Sequence, residues 1–296
     1  MTEAAIEIRD LGFSYGRKEV LCGVNLEVPA GSIFGFLGRN GAGKTTTIKQ
    51  MLGLLKPSRG SCRMLGIDAA KDPLAVRRAV GYMAEDQQMY GWMEVREIIR
   101  WVASFYPQWD EKLIERLREG LELPGRSKVK TLSKGQNSRL ALLLALGHRP
   151  KLVILDDPTL GLDPIARKDF LRHVINLLQS NQVTVFFSSH LLYEIEPVAD
   201  HVAILEGGVI VKAGRTEWLR ETVKRFILTP KKGAELAGKG VLDVRRLGES
   251  AAITVEDCDQ ERRAAVRKLA EGAVQENDLN LDEIFEAYVI GNRGDE

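Results

Sequence analysis

Cysteine is scarce in this 296-residue chain: Cys22, Cys62 and Cys258 are the only three. They are scattered, odd in number and form no C-x-x-C pair. That excludes a disulfide framework or a cysteine-rich zinc site and fits a reducing cytoplasm. Net charge is also lacking. Lys and Arg total 42 against 41 Asp and Glu, a balance of +1. No global attraction to nucleic acid or to an anionic membrane follows, and no nucleic-acid partner is expected. Long apolar runs are missing too; the nearest, residues 140–146, falls far short of the ~18 consecutive residues of a membrane span. The opening MTEAAIEIRD lacks the basic-then-apolar pattern of a signal peptide. If the protein works at a membrane, it needs a partner inside the bilayer. There is no internal repeat and no low-complexity tract. What is present is ordinary for a globular protein, 44% hydrophobic and 28% charged residues. The length allows one large domain plus a small appendage.

Residues 4–37 read as short strands, the first two alternating as half-buried antiparallel strands do. SIFGFL (32–37) is continuously apolar, as in a fully buried strand. A helix is expected from about Lys44 to Leu55, closed by Pro57. Residues 75–148 read as mostly helical: Val95, Ile98, Ile99, Val102 and Tyr106 share one helical face, and another helix spans Lys134 to about Leu146. Apolar runs at 152–155, 183–189 and 201–211 read as strands, the last a hairpin at Gly207-Gly208, with a helix near 166–178 between the first two. Strands separated by helices imply a parallel α/β sheet. After Trp218 the texture changes, and residues 222–296 read as a small α+β appendage of three short strands and two helices, with no chemical motif.

Gly38-Arg39-Asn40-Gly41-Ala42-Gly43-Lys44-Thr45-Thr46 contains G-x-x-x-x-G-K-[ST], placed after an apolar strand and opening a helix. Its glycines let backbone N–H groups close around phosphate oxygens without side-chain clashes, and the helix N-terminus adds partial positive charge. Lys44 is expected to reach the terminal phosphates of the bound ligand, and the Thr45 hydroxyl to coordinate Mg²⁺. In LVILDDP (152–158) a buried strand ends in two carboxylates. Its tip would deliver Asp156 to the same sheet edge as the phosphate loop, where ligands of open α/β sheets sit, as the Mg²⁺-associated acid. In LSKGQ (132–136), Ser133 and Gln136 form an S-x-x-Q capping box that opens the 134–146 helix and makes a second helix N-terminus rich in donors.

Taken together these pieces resemble the nucleotide-binding subunit of an ABC transporter. GRNGAGKTT resembles that family's Walker A, LSKGQ its signature motif, LVILDDP its Walker B, GLD at 161–163 its D-loop and SSH ending at His190 its H-loop. The resemblance covers about residues 5–218. It implies a P-loop NTPase: a RecA-like core sheet with an antiparallel β subdomain and a helical subdomain (about 86–146), in an ATPase domain spanning 1–221. It further implies that two subunits pack head to tail around two ATP and hydrolyse it to drive an integral membrane permease, at the cytoplasmic face of the membrane. Ser133, the Gly135 backbone and Gln136 would then face a partner's γ-phosphate, and Asp163 would tie the halves together. His190 would contact the γ-phosphate of its own subunit. Tyr15 resembles the aromatic that stacks on adenine; the alternative is a core tyrosine.

Four positions depart from the family pattern; one of them, Arg39, replaces a common proline and is expected to be neutral for chemistry. Asp157 stands where a glutamate usually orients or deprotonates the attacking water. Aspartate is shorter by one C–C bond, ~1.5 Å, and a displacement of ~1 Å at a reacting centre can cost about 100-fold in rate. Either the backbone moves closer or hydrolysis is slow. Glu85 stands where the family often has the Q-loop glutamine. It would accept bonds from a metal-bound water, or be a solvated loop acid. Lys134 replaces the second signature glycine, either strengthening ATP-driven closure or sitting exposed at the helix start. Trp92, Trp101 and Trp109, with Tyr90, Phe105 and Tyr106, either mark a surface for a permease helix or fill the helical subdomain. FYPQWD (105–110), LSKGQ and NLDEIFEAYV resemble bacterial exporter-type subunits encoded apart from their permease. Two other readings stay open: a soluble ABC ATPase, and a nucleotide-controlled switch with weak hydrolysis.

Overall fold

The computed structural model describes residues 4–179 and 183–291. The outer ends of the two expected domains, 1–3 and 292–296, lie outside the described residues. The chain divides into two compact units: 1–190 with 205–210, and 191–204 with 211–296.

The first unit opens with two long strands, β1 (Ala4–Tyr15) and β2 (Lys18–Pro29), then the short β3 (Ile33–Leu37). β3 is buried at every position, as its unbroken apolar run requires. The helix α1 (Lys44–Met51) follows. It ends earlier than its apolar pattern suggests because Gly53 takes φ +64°, and a Cβ there would lie 2.5 Å from the Ala69 carbonyl oxygen. β4 (Arg59–Met64) and β5 (Ile67–Asp68) complete an antiparallel sheet in the order β2-β1-β4-β5.

Residues 75–148 are less helical than expected. α2 (Pro73–Ala79), with Asp72 as its N-cap, leads directly into the strand β6 (Val80–Met83), and turns follow to Glu94. A four-residue VGYM run is too short to announce itself. It is a strand because it pairs parallel with a longer apolar one. α3 (Val95–Ala103) buries Val95, Ile98 and Ile99. α4 (Glu111–Gly120) starts where Asp110 Oδ1 accepts the Leu113 N–H at 2.8 Å. α5 (Lys134–Leu146) begins at the expected capping box: Ser133 Oγ accepts the Gln136 N–H at 3.2 Å, and Gln136 Oε1 accepts the Ser133 N–H at 3.0 Å.

Next come β7 (Leu152–Asp156), α6 (Pro164–Gln179) and β8 (Thr184–Ser189). Leu152, Val153, Ile154 and Leu155 are all fully buried, and side chains of this size contribute about 1.5–3 kcal/mol each on burial. A short helix α7 (Leu192–Ile195) precedes the hairpin of β9 (His201–Glu206) and β10 (Val209–Arg215). The central sheet runs β10-β9-β3-β8-β7-β6, with β3, β8, β7 and β6 parallel. Register decides where the chemistry lies. Leu37 at the end of β3 is level with Ser189, and Ser188 is level with Asp156. The strand leading into the phosphate loop and the strand carrying the paired acids therefore end on one edge, with β8 between them.

The second unit continues with α8 (Thr216–Thr222), β11 (Lys224–Leu228), β12 (Val241–Leu247), β13 (Ser250–Val255), α9 (Gln260–Leu269), β14 (Gln275–Asp278) and α10 (Leu281–Val289). Its antiparallel sheet runs β12-β13-β11-β14 over a core of Phe226, Leu228, Ile253, Val255 and Val266. α10 packs on α7, α8 and β12, so the boundary expected at 221/222 falls inside this unit. Lys212 is a centre of cohesion. Its ammonium bonds Glu256 at 2.9 Å and Asp257 at 3.1 Å and lies 5.1 Å from the Trp218 ring and 5.6 Å from the Tyr288 ring.

Candidate functional site

Two glycines of the loop 38–43 sit where no other residue can replace them without movement. Gly43 takes φ +113° as the N-cap of α1, and a Cβ there would lie 2.7 Å from Leu21 Cδ2. A Cβ on Gly38 would lie 2.7 Å from the Leu205 carbonyl oxygen. Gly41 also has positive φ, with open space around it. No side chain caps α1, so its first N–H groups point from the helix end with donor capacity free for an anion. Arg39, Asn40 and Gly41 are exposed, Ala42, Lys44 and Thr46 are buried, and Thr45 is half-buried.

Lys44 donates to the Gly38 carbonyl at 2.9 Å and stands 3.8 Å from Asp157 Oδ2. Asp157 is buried and has φ +40°, a left-handed conformation that costs a non-glycine residue about 1–2 kcal/mol. Its Oδ1 lies 2.8 Å from His190 Nδ1 and accepts the His190 N–H at 3.3 Å. The acid is thus clasped between the phosphate-loop lysine and the histidine at the end of β8. Asp156, next to it, is wholly buried. Its Oδ1 accepts the Ser188 hydroxyl at 2.6 Å, while Oδ2 is buried with no hydrogen bond. Burial pushes the Asp156 carboxyl above the usual carboxylate range; bonds from Ser188 and the Thr45 side chain oppose this, and the charges of Asp157 and Glu85 add to it. Tyr82 on β6 is pushed up to about 12, by burial and then by Asp156 and Glu85.

A buried carboxylate oxygen without a donor costs free energy unless a cation or donor completes it. The unpaired Asp156 oxygen, with the Thr45 side chain near the same carboxyl, fits a hard divalent cation that takes its remaining ligands from water and phosphate. Among the described residues no three His, Cys, Asp or Glu side chains close around a metal. Such an ion would therefore lean on its substrate. Glu85 is exposed, and its charge reaches Asp156.

Other residues singled out in the sequence lie apart from this cluster. Ser133 is exposed at the start of α5, with Gly135 and Gln136 half-buried beside it. Asp163 Oδ1 accepts N–H groups from Ile165 and Ala166, both at 3.0 Å, and so caps α6. Lys134 extends over Gly161 of its own chain; a Cβ on Gly161 would lie 2.5 Å from its Nζ. Tyr15 is half exposed, its ring edge-on to Phe13 at 4.8 Å. The aromatics divide in two. Tyr90, Trp92, Trp101 and Phe105 make an exposed ladder with centroids 4.9–6.1 Å apart. Tyr106 instead stacks on His148 at 4.2 Å, and Trp109 packs beside Tyr106 and over Gly147. Ser188 was not singled out by its motif. The signal was available: a continuously apolar strand ending in two serines beside a strand ending in two acids.

A phosphate-ready loop, an acid with a vacant buried oxygen and an acid–histidine pair on one edge of a parallel sheet define a P-loop nucleotide-binding protein. Comparison with known proteins narrows this. The family model described as ABC transporter matches residues 21–160. The bacitracin transport ATP-binding protein BcrA of Bacillus licheniformis is 36% identical over 224 residues, 75% of this chain and 73% of its own length. The ABC transporter ATP-binding protein YtrB of Bacillus subtilis is 27% identical over 290 residues, 97% of this chain and 99% of its own. A solved ATP-binding subunit of an ABC transporter superposes with a TM-score of 0.67 at 31% identity, covering 73% of this chain and 92% of that one. The chain belongs to the ABC transporter family, as one of its ATP-binding subunits. No helix among the described residues is long and apolar enough to cross a membrane.

Proposed function

We propose that two copies of this chain close head to tail around two ATP molecules, hydrolyse them and so drive a separately encoded membrane permease, most simply an exporter, from the cytoplasmic face of the membrane. The observation that carries this reading is the uncapped, glycine-built start of α1 facing the edge where Asp156 leaves one buried oxygen vacant. N–H groups of residues 41–46 grip the phosphates, with Lys44 turning from Gly38 and Asp157 to the terminal ones. Tyr15 offers an exposed ring to adenine. The partner copy's Ser133, Gly135 and Gln136 complete the site across the interface, and Asp163 stands near the seam. Asp156 and the Thr45 hydroxyl would hold Mg²⁺, with Glu85 able to bond its water; when bound, the ion neutralises charge on the phosphate oxygens.

Asp157 and His190 act as a pair. The Asp157 carboxylate holds His190 by Nδ1, which leaves Nε2 to meet the γ-phosphate or its attacking water. Once Lys44 leaves for the phosphates, Asp157 Oδ2 becomes available to orient that water. The shorter acid reaches this position through its left-handed backbone, and slow turnover follows from its limited reach. The exposed ladder of Tyr90, Trp92, Trp101 and Phe105 is suited to receive a permease helix. Relatives named for bacitracin transport and multidrug transport support the export direction.

A second reading, a nucleotide-controlled switch with weak hydrolysis, is favoured by one observation: both Asp157 oxygens are engaged within the chain. Single-turnover hydrolysis of radiolabelled ATP by the chain assembled with its permease separates the two. Release of phosphate at a rate that falls in His190→Ala supports the motor. No release at all supports the switch.

A further inference from the structure

Ser188 opens the SSH segment two residues before His190, inside the strand β8, and it joins the two acids. It is fully buried in β8, level with Asp156 across the sheet. Its Oγ–H donates to Asp156 Oδ1 at 2.6 Å, and its Oγ accepts the Asp157 N–H at 3.1 Å; the same N–H approaches the Ser188 carbonyl at 3.1 Å. A hydroxyl has one proton to give. With the Asp157 N–H directed at its lone pair, that proton is committed to Asp156. Two consequences follow. Asp156 is turned so that Oδ1 is used and Oδ2 remains the vacant oxygen. Asp157 is anchored at its nitrogen in the φ +40° turn from which its carboxylate reaches His190 and Lys44.

We propose that Ser188 is the positioning residue of this site, a single hydroxyl that fixes both the cation-binding oxygen of Asp156 and the turn that presents Asp157. The inference rests on the ATPase reading above and goes beyond it, because Ser188 is fully buried and its hydroxyl bonds the two acids themselves. Its role is carried through the orientation of two neighbours. Threonine, which keeps the hydroxyl, serves in its place; alanine does not.

The test measures binding of a fluorescent ATP analogue, mant-ATP, to the full chain in Mg²⁺ and in EDTA. In the natural protein Mg²⁺ tightens binding. Ser188→Ala is expected to cut that tightening by about 10-fold or more, since a bond to a charged, buried group is lost, while affinity in EDTA stays as it was. Ser188→Thr restores the tightening. Ser188→Cys, close in volume but a weak donor, behaves as alanine and replaces it should the alanine protein be unstable. Retained Mg²⁺ tightening in Ser188→Ala or Ser188→Cys, an equal loss in both buffers, or failure of Ser188→Thr to rescue overturns the proposal. A natural protein that binds no mant-ATP in either buffer instead overturns the nucleotide reading itself.

Discussion

Lys44 and Asp157 form a buried pair whose removal separates folding from ligand binding. Their side chains are 6% and 7% exposed, with 3.8 Å between Nζ and Oδ2. Two charges at about 4 Å attract by roughly 4 kcal/mol at an effective dielectric near 20. Much of that is cancelled by desolvation, which breaking one side of the pair exposes. The net coupling is therefore expected to be about 1–2 kcal/mol, reduced from the upper range because His190 also supports Asp157. In nucleotide-free protein, Lys44→Ala leaves a buried carboxylate facing no cation, and Asp157→Asn leaves a buried ammonium. Each lowers Tm. The double variant regains part of the loss, by about 2–4 °C for each kcal/mol of coupling in a domain of this size. Thermal scans of the four proteins without ligand measure it. Nucleotide binding behaves oppositely: lost in Lys44→Ala, it does not return in the double variant. Strictly additive Tm losses would refute the pairing and with it the idea that Lys44 is held ready by the acid it later leaves.

Further outcomes follow from the same geometry. Gly43→Ala places a Cβ against Leu21 at a φ that alanine resists, so mant-ATP affinity should fall more than 10-fold by ordinary steric and backbone reasoning. Tyr15→Ala should weaken ATP by about 10-fold, the scale of one lost base–aromatic stack, while Tyr15→Phe leaves it unchanged in the same titration. Asp157→Glu moves the carboxylate by ~1.5 Å and should change single-turnover hydrolysis by at least 10-fold; an unaltered rate would sink the length argument. His148, whose imidazole is held down at about 4 by burial, gives a pH signature. The unfolded chain takes up a proton near pH 6.5 that the folded chain refuses, so stability is full above that pH and declines toward pH 4. His148→Phe should flatten that part of the Tm-against-pH curve.

The parts of this molecule that spoke plainly in sequence are those whose cause is local. The run LVIL must be buried on both faces, and it is. S-x-x-Q must cap a helix at Ser133, and it does. The phosphate loop follows from glycines at fixed offsets. What stayed hidden depends on partners far along the chain. QEND at 275–278 carries no strand signal and is a strand because β11 accepts it as an edge. VGYM is a strand through its pairing with β7. The link from Ser188 to the acids needs the register of two strands, which periodicity does not supply. Lys134, expected against a partner's phosphates or solvent, has Gly161 as its neighbour, brought there by the approach of α5 to the loop before α6.

The most direct measurement is the mass of the His190→Ala protein in solution, by light scattering during gel filtration, with and without saturating Mg²⁺-ATP. The account predicts a monomer without nucleotide and a dimer holding two ATP with it, reverting to monomer when Ser133→Arg is added although ATP still binds. A protein that stays monomeric at saturating nucleotide, or a dimer indifferent to Ser133→Arg, would contradict it.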